Sequence, residues 1–247
     1  MRDLPALSLV VPLKDEASNV VAVVEEVATV LGPAVPNYEL ILVDDGSSDA
    51  TWEHVRRLHA ADPEHVVGLR FARNFGQSAA FSAGFAAARA PLVATMDGDL
   101  QNDPADLPKL MALAASHDIV SGWRRKRQDA VLTRHVPSVI ANTLIGVVTG
   151  VPLHDNGCSL KVFRAGVVKP LHLRPGMHRY LPAIASQLGG RVTEVVVNHR
   201  PRRFGESKYG LSRTFKVVAD LVHLRRVMRD ALVPPPAPLY EIAERLN

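Results

Sequence analysis

The segment from Asp97 to Gln101 carries side chains suited to binding a divalent cation. Hard cations such as Mg²⁺ and Mn²⁺ prefer oxygen ligands. Asp97 and Asp99, separated by the small Gly98, can present two carboxylates to one ion, and the amide oxygen of Gln101 lies nearby. Such an ion acts as a Lewis acid on a departing diphosphate. The segment therefore predicts a Mg²⁺ or Mn²⁺ site that acts on a phosphate-containing ligand.

A second acidic pair, Asp44-Asp45, also stands at the end of a strand-like run, and Pro12 to Glu16 follow a third run. In open parallel sheets, ligands bind outside the carboxyl ends of the strands. Asp44 and Asp45 would crowd the same metal, and they are better placed to accept hydrogen bonds from a base or ribose. These segments together predict one ligand site at the carboxyl edge of a sheet.

Aspartate also serves purely structural roles in turns and helix caps. We assign such roles to Asp49, Asp103 and Asp106, a surface or capping role to His178 and core packing to Cys158. A lone Asp-x-Asp match carries a real false-positive risk. The functional interpretation rests on two acidic clusters at neighbouring strand ends.

The elements that position these side chains alternate between strand and helix. Helical patterns cover Ser18 to Leu31, Asp49 to Ala60 and a segment after Asp103, and this alternation predicts an α/β fold with a mostly parallel sheet covered by helices on both faces. Strand-like runs rich in β-branched residues occur at Leu7 to Val11, Tyr38 to Val43, Val66 to Phe71, Leu92 to Met96 and Asp118 to Ser121. Further along, we predict a strand at Leu160 to Phe163, a helix at Arg179 to Leu188 and a strand at Arg191 to His199.

The composition is that of a globular protein, with 247 residues, 47% apolar and 22% charged. The single cysteine excludes an internal disulfide and a cysteine-based zinc site, as is usual in a reducing compartment. The N-terminus lacks the apolar core of a signal peptide. The least polar stretch, His135 to Leu153, falls short of the roughly 20 clean apolar residues that span a bilayer. We expect a cytoplasmic protein with no signal peptide and no transmembrane helix.

Positive charge is concentrated at Arg124 to Arg127, at Arg200 to Arg203, and at Arg225, Arg226 and Arg229, although the net charge is only +4. These clusters indicate an anionic partner, either phosphates or an anionic membrane surface, and a solvated basic face is the alternative. We expect no nucleic-acid partner. The oligomeric state is left open, and a homo-oligomer is compatible with the sequence.

A helix predicted from Leu211 to Leu232 has one apolar and one basic side. It is either a surface helix docked on the core or an interfacial membrane helix. Pro234 to Pro238 predict a stiff linker.

Six segments in order resemble glycosyltransferase family 2, and within it the polyprenyl-phosphate glycosyltransferases, the group of dolichol-phosphate mannose synthase and the bacterial undecaprenyl-phosphate sugar transferases. The resemblance covers roughly residues 7 to 225, which makes it more specific than any single motif. The segments are Val11-Pro12 to Glu16 with Asn19, VDDGSSDAT at 43–51, NFGQSAAFSAGF at 74–85, MDGDLQNDP at 96–104, DNGCSLKVFR at 155–164 and HRPRRFGESKYG at 199–210.

This resemblance implies a Rossmann-like nucleotide-diphospho-sugar transferase fold of the glycosyltransferase A type and an inverting, metal-dependent reaction. The donor would be a GDP- or UDP-sugar and the acceptor an undecaprenyl or dolichyl phosphate. The implied segments are a catalytic domain at 1–210, a basic amphipathic helix at 211–232, and a Pro-rich linker with a C-terminal tail at 233–247. The implied site residues are Pro12, Glu16, Asp44, Asp45, Asp97 and Gly98 for the nucleotide sugar, Asp97, Asp99 and Gln101 for the metal, and Arg124, Arg134, Arg202, Ser207 and Lys208 for the acceptor phosphate or the diphosphate.

Asp155 matches a position where family members carry an acidic residue facing the acceptor, and with Asp97 it is our candidate catalytic residue. A phosphate monoester has a second pKa of about 6, so it is already a competent nucleophile at neutral pH. A sugar hydroxyl would instead need a base. Asp155 is therefore either that base or a residue that orients the acceptor. On this reasoning, a hydroxyl acceptor predicts that Asp155→Asn nearly abolishes turnover, and a lipid phosphate predicts a milder effect.

The sequence departs from the family pattern at two places. Lys14 and Asp15 stand where an aromatic residue and Asn are usual, which leaves the nucleobase open. Many relatives continue after the Ser-Lys-Tyr motif into transmembrane helices, whereas this chain continues into Val222 to Arg226. We therefore expect peripheral membrane contact, at about 1 kcal/mol per basic residue near an anionic leaflet.

Two alternatives remain at the level of sequence. One is a soluble family 2 transferase that acts on a saccharide or another hydroxyl acceptor. The other is a non-catalytic nucleotide-sugar-binding module at the membrane, against which the intact set of Asp97, Asp99 and Gln101 argues.

Overall fold

The computed structural model describes residues 4–125, 142–201, 226 and 228–247. Its strands are β1 (Leu7–Leu13), β2 (Tyr38–Asp44), β3 (Val66–Phe71), β4 (Leu92–Thr95), β5 (Ile119–Trp123), β6 (Lys161–Arg164), β7 (Val192–Val196) and β8 (Ile242–Leu246). They form one sheet in the order β7-β5-β6-β4-β1-β2-β3-β8. The pairs β1–β2, β1–β4, β2–β3 and β5–β7 are parallel, whereas β6 and β8 run antiparallel to their neighbours. The prediction of a mostly parallel sheet in an α/β fold is confirmed.

Helices lie on both faces of this sheet. The longer ones are α1 (Val20–Leu31), α2 (Thr51–Ala61), α3 (Gln77–Ala87) and α4 (Leu107–Leu113). Shorter helical segments are Pro104–Asp106, 142–149, Ala165–Val168, Met177–Tyr180 and Leu181–Ser186.

The alternation of side chains along β1 divides the core into two layers. Leu9 and Val11 pack in the layer that contains α1, α2 and α4, whereas Val10 packs in the layer that contains α3. Successive side chains of a strand point to opposite faces, so a strand buried on both faces reads as a continuous apolar run. β1 is such a strand, and its carboxyl end is consequently fixed between two packed layers.

Helix α3 approaches β1 more closely than an ordinary side chain would allow. It is buried continuously from Ser78 to Phe85. A Cβ atom added to Gly84 would overlap Cγ1 of Val10. The glycine therefore sets the distance between α3 and the strand that leads into the acidic edge.

We expect Gly84→Ala to lower the free energy of unfolding by about 1 to 3 kcal/mol, the usual cost of overpacking a core. The matched control is Gly166→Ala, since an added Cβ there meets no atom within 4 Å and alanine favours a helix. Urea unfolding of both variants checks the prediction. Equal stability of Gly84→Ala and the wild type would show that the helix can move away at no cost.

The segment 233–247 is not only a linker and a tail, because residues 242–246 form strand β8. Glu244 accepts hydrogen bonds from Trp52 Nε1 at 2.9 Å and from Arg56 Nε at 2.9 Å, and Tyr240 stacks on Phe71 with ring centroids 5.1 Å apart. The C-terminal residues of this segment therefore pack against the sheet. Strand β8 is short and largely exposed. It therefore forms through pairing with β3 and not through a buried apolar pattern.

Two other elements are shorter than predicted. The helix expected from 179 to 188 is a 3₁₀ turn, Met177–Tyr180, followed by Leu181–Ser186. Gly189, with φ of 82°, stands just after it. The strand expected over 191–199 is limited to Val192–Val196.

The helix predicted at 211–232 lies mostly outside the described residues. Residues 226 and 228–230 are helical. Met228 and Ala231 are buried in the core layer of α3, and His172 donates its backbone N–H to the Ala231 carbonyl at 2.8 Å. The end of the predicted helix is therefore docked on the domain.

Candidate active site

The Asp97 to Gln101 loop leaves β4 and turns sharply at the carboxyl edge. A Cβ on Gly98 would lie 2.7 Å from Leu13 Cδ2, and Leu100 has a φ of 62°. The backbone N–H of Gln101 donates to Asp99 Oδ1 at 3.2 Å. A side chain at position 98 would force Leu13 to move, so glycine lets the loop pack closely against the end of β1.

The donor set of this loop suits a hard cation, because it consists only of oxygen atoms. Asp97 is partly exposed and Asp99 is 9% exposed. Within residues 4–125, 142–201, 226 and 228–247, no three Asp, Glu, His or Cys side chains are grouped to hold a metal. Two carboxylates and one amide oxygen would leave coordination positions for a diphosphate and water, and the residues present fit an ion bound in that way.

The segments after β1 and β2 are joined by hydrogen bonds into one wall. Lys14 Nζ donates to the Gly46 carbonyl at 2.9 Å, and the backbone N–H of Asp15 donates to Ser47 Oγ at 2.9 Å. Asp15 has a φ of 52°, and the backbone N–H of Ser48 holds the pKa of its carboxyl below the usual value. Lys14 and Asp15, which depart from the family pattern, thus connect the two loops.

Glu16 and Pro12 lie beside the same loops, and their contact with a nucleotide stays a prediction. The backbone N–H of Glu16 donates to Thr51 Oγ1 at 2.8 Å, and its Oε2 accepts from Asn19 Nδ2 at 2.6 Å. Pro12 is in β1 opposite Val43 of β2.

Asp44 and Asp45 hold the backbone of neighbouring loops. Asp44 is fully buried and accepts from the backbone N–H of Ser47 at 3.0 Å. Asp45 accepts from the N–H groups of Phe75 at 2.6 Å and Gly76 at 2.9 Å. Burial raises the pKa of both carboxyl groups, and these hydrogen bonds act in the opposite direction. Their first role is structural, and contact with a nucleotide stays a prediction.

Arg124 and Asp155 form a buried, bidentate ion pair. Arg124 Nε lies 2.7 Å from Asp155 Oδ2 and Nη2 lies 3.0 Å from Oδ1. The two side chains are only 12% and 8% exposed. Burial acts to lower the pKa of Arg124, but the negative charge and hydrogen bonds of Asp155 raise it. Arg124 is therefore not part of a solvated turn.

This pairing changes the expected meaning of Asp155→Asn. Both carboxylate oxygens of Asp155 are engaged by charge-assisted hydrogen bonds from Arg124. The geometry favours the orienting role of Asp155 over the role of a base. Because the substitution would also leave a buried guanidinium without its counter-charge, it cannot discriminate between lipid and hydroxyl acceptors as the sequence analysis assumed.

Lys161 is a buried lysine near the ion pair, and its sequence position was not predicted to belong to the site. It lies in β6, is 2% exposed and donates from Nζ to the Asn156 carbonyl at 3.3 Å. Burial lowers its pKa, and the nearby acidic groups Cys158, Asp155 and Asp97 act in the opposite direction. A lysine inside the apolar run Leu160 to Phe163 was the available signal. Cys158 is fully buried, in agreement with the packing role assigned to it.

A second contact joins the same two segments beside the ion pair. Trp123 stacks on His154 with ring centroids 4.2 Å apart, and Glu194 of β7 accepts from the His154 backbone N–H at 2.9 Å. Arg125 lies 5.8 Å from the centre of a Trp123 ring. The end of β5 is thus fixed to the segment that carries Asp155.

The remaining predicted residues fall into two groups. Arg134, Arg202, Ser207 and Lys208 lie outside the described residues. Arg200, from the same basic cluster, forms ion pairs with Glu26 and with Asp103 at 2.8 Å. Asp103 caps the turn at Ala105, and Asp49 accepts from the backbone N–H of Thr51, in agreement with their structural assignment.

Residues 8–171 match the family described as Glycosyl transferase family 2. The chain belongs to this family. It is 45% identical over 227 residues to dodecaprenyl-phosphate galacturonate synthase from Rhizobium johnstonii, covering 90% of this chain and 67% of the relative. It is 36% identical over 221 residues to undecaprenyl-phosphate 4-deoxy-4-formamido-L-arabinose transferase from Aeromonas hydrophila, covering 89% and 68%. The chain thus spans about two thirds of the length of each relative.

Solved structures of glycosyltransferases share the fold. Glucosyl-3-phosphoglycerate synthase from Mycobacterium tuberculosis, in complex with Mn²⁺, UDP and glucosyl-3-phosphoglycerate, superposes with a TM-score of 0.66 at 16% identity, covering 94% of this chain and 82% of that one. A mannosyltransferase from Pyrobaculum calidifontis, in complex with GDP-Man and Mn²⁺, gives 0.65 at 18% identity, covering 96% and 68%. The predicted glycosyltransferase A type of fold is confirmed.

In the described part of this family 2 chain, none of the helices has both the length and the apolar character needed to cross a bilayer.

Proposed function

We propose that this chain transfers a sugar from a nucleoside-diphosphate sugar to a polyprenyl phosphate, with inversion at the anomeric carbon. The observation that carries the proposal is the 45% identity over 90% of the chain to a protein named for making a polyprenyl-phosphate sugar. A second relative, 36% identical, is named for the same class of acceptor.

The chemistry of this acceptor agrees with the site. An oxygen of the lipid phosphate attacks the anomeric carbon, a new C–O bond forms, and the bond to the nucleoside diphosphate breaks with its electron pair. Because the phosphate monoester is mostly dianionic at neutral pH, with a second pKa of about 6, no side chain has to remove a proton. A site whose Asp155 is paired with Arg124 suits such a nucleophile.

On the donor side, Pro12, Glu16, Asp44 and Asp45 form the wall against which the nucleoside lies. The carboxylates at this edge would hold Mg²⁺ or Mn²⁺, and Gly98 lets their loop pack closely against Leu13 at the end of β1. The bound ion supplies Lewis-acid stabilisation of the leaving diphosphate. Asp97, Asp99 and Gln101 are the residues that would hold this ion.

On the acceptor side, the buried pair of Arg124 and Asp155 orders the wall. Arg134, Arg202, Ser207 and Lys208 complete the phosphate-binding set with positive charge and hydrogen-bond donors. The lipid acceptor places the reaction at a membrane surface, where the basic residues contact anionic headgroups. We place that surface on the cytoplasmic side.

A panel of UDP- and GDP-sugars tests the proposal. Each donor is incubated with undecaprenyl phosphate in detergent and Mn²⁺, and glycolipid is measured by mass spectrometry with and without EDTA. We expect one donor to give a glycolipid whose formation EDTA abolishes, because without the ion the diphosphate is a poor leaving group. Slow donor hydrolysis with no glycolipid from any donor would favour the soluble, hydroxyl-acceptor alternative.

A further inference from the structure

The first residue of α3, Gln77, contacts a proposed metal ligand. Its Nε2 donates to Asp97 Oδ1 at 2.9 Å. The residue belongs to the NFGQ segment, which no step of the proposed function uses. An amide nitrogen only donates hydrogen bonds. Gln77 Nε2 therefore holds the Asp97 carboxylate and is not itself a ligand for a cation.

The backbone around Gln77 is fixed on both sides. The carboxylate of Asp45 accepts from the N–H groups of Phe75 and Gly76. On the other side, His178 Nδ1 lies 2.8 Å from Ser78 Oγ, and the His178 backbone N–H donates to the same oxygen at 3.3 Å. His178, assigned to the surface or a cap from sequence, thus contacts the first turn of α3.

Gly76 makes this arrangement possible. It has a φ of 91°, a conformation that residues with a side chain rarely adopt. The chain turns there from the loop held by Asp45 into α3, and Gln77 follows at once. Helix α3 packs closely against β1 at Gly84. The amide of Gln77 is therefore positioned next to Asp97 by a packed helix.

We propose that Gln77 is a positioning residue for Asp97, holding its carboxylate in the orientation that binds the divalent ion. The proposal rests on the metal site of the proposed function. Removing a residue that orients a metal ligand by a hydrogen bond typically lowers metal affinity or activity by about 10-fold to 100-fold. They do so without touching the metal.

The test compares Gln77→Met, which keeps the length and loses the amide, with Gln77→Asn, which keeps the amide and loses the reach. Gln187→Met, at an exposed position, is the matched control. Free Mn²⁺ is measured by electron paramagnetic resonance during titration of each full-length protein, in the presence of UDP and separately of GDP. Thermal melting without metal reports on folding.

We expect both Gln77 variants to bind Mn²⁺ about 10-fold to 100-fold more weakly than the wild type, with Gln187→Met unchanged. Wild-type affinity in a folded Gln77→Met or Gln77→Asn variant would overturn the positioning role and leave the metal site standing. Failure of the wild type to bind Mn²⁺ with either nucleotide would overturn the metal site, and the role of Gln77 with it.

Discussion

Asp99→Ala is expected to reduce glycolipid formation by at least about 100-fold, which corresponds to a barrier increase of about 2.7 kcal/mol. The loss is expected because the proposed metal site has only two carboxylates, and the substrate diphosphate has to supply further ligands to the ion. Asp99 is 9% exposed and lies in a loop turned by Gly98 and Leu100. Initial rates over a series of Mn²⁺ concentrations measure the effect.

The control for this variant is Asp62→Ala, which removes a carboxylate paired with His65 at the opposite end of the sheet. It should leave the response to Mn²⁺ unchanged. Donor turnover that persists in Asp99→Ala with the same metal dependence as the wild type would show that Asp99 is not a ligand.

Removing either partner of the buried Arg124–Asp155 pair should destabilise the protein by about 3 to 5 kcal/mol, because the other charge is left buried and uncompensated. Asp155→Asn and Arg124→Met are the single variants. The double variant should lose less than the sum of the two, by up to about 3 kcal/mol, since it leaves no uncompensated charge. Urea unfolding of all four proteins completes the double-mutant cycle.

An exposed pair on α2 provides the comparison for this cycle. Arg57 and Glu53 are 2.7 Å apart, but their side chains are 70% and 64% exposed. Their coupling should be about 0.5 kcal/mol or less. A coupling energy between Arg124 and Asp155 no larger than that of the exposed pair would show that the buried pair does not organise the acceptor wall.

This cycle also bears on catalysis. Turnover of Asp155→Asn should be compared per folded molecule, since unfolding alone lowers the apparent rate. Activity that follows the folded fraction would exclude Asp155 as a base, because an amide cannot take the proton that a hydroxyl acceptor has to lose.

The sequence was most informative where local pattern determines structure. The strand patterns located β1 to β7, and the carboxyl-edge rule predicted that Asp97, Asp99, Asp44 and Asp45 lie at one edge of the sheet. Strand β8 could not be predicted, because Ile242 and Glu244 become a strand only through pairing with β3 and contacts with α2.

The site was less predictable than the fold, because its contacts join residues far apart in the chain. The bidentate pair between Arg124 and Asp155 and the contact between Gln77 and Asp97 depend on tertiary packing. The spacing of the arginines in 124–127 does not predict that the Arg124 side chain is buried.

A paired acceptor assay shows whether the acceptor is a lipid phosphate. Undecaprenyl phosphate and undecaprenol are offered separately, in the same detergent, with the productive donor and Mn²⁺. We expect undecaprenyl phosphate to give a glycolipid that retains phosphorus, and undecaprenol to give no product. Only the phosphate can attack the sugar without a base to remove a proton. Equal or faster transfer to undecaprenol would contradict it.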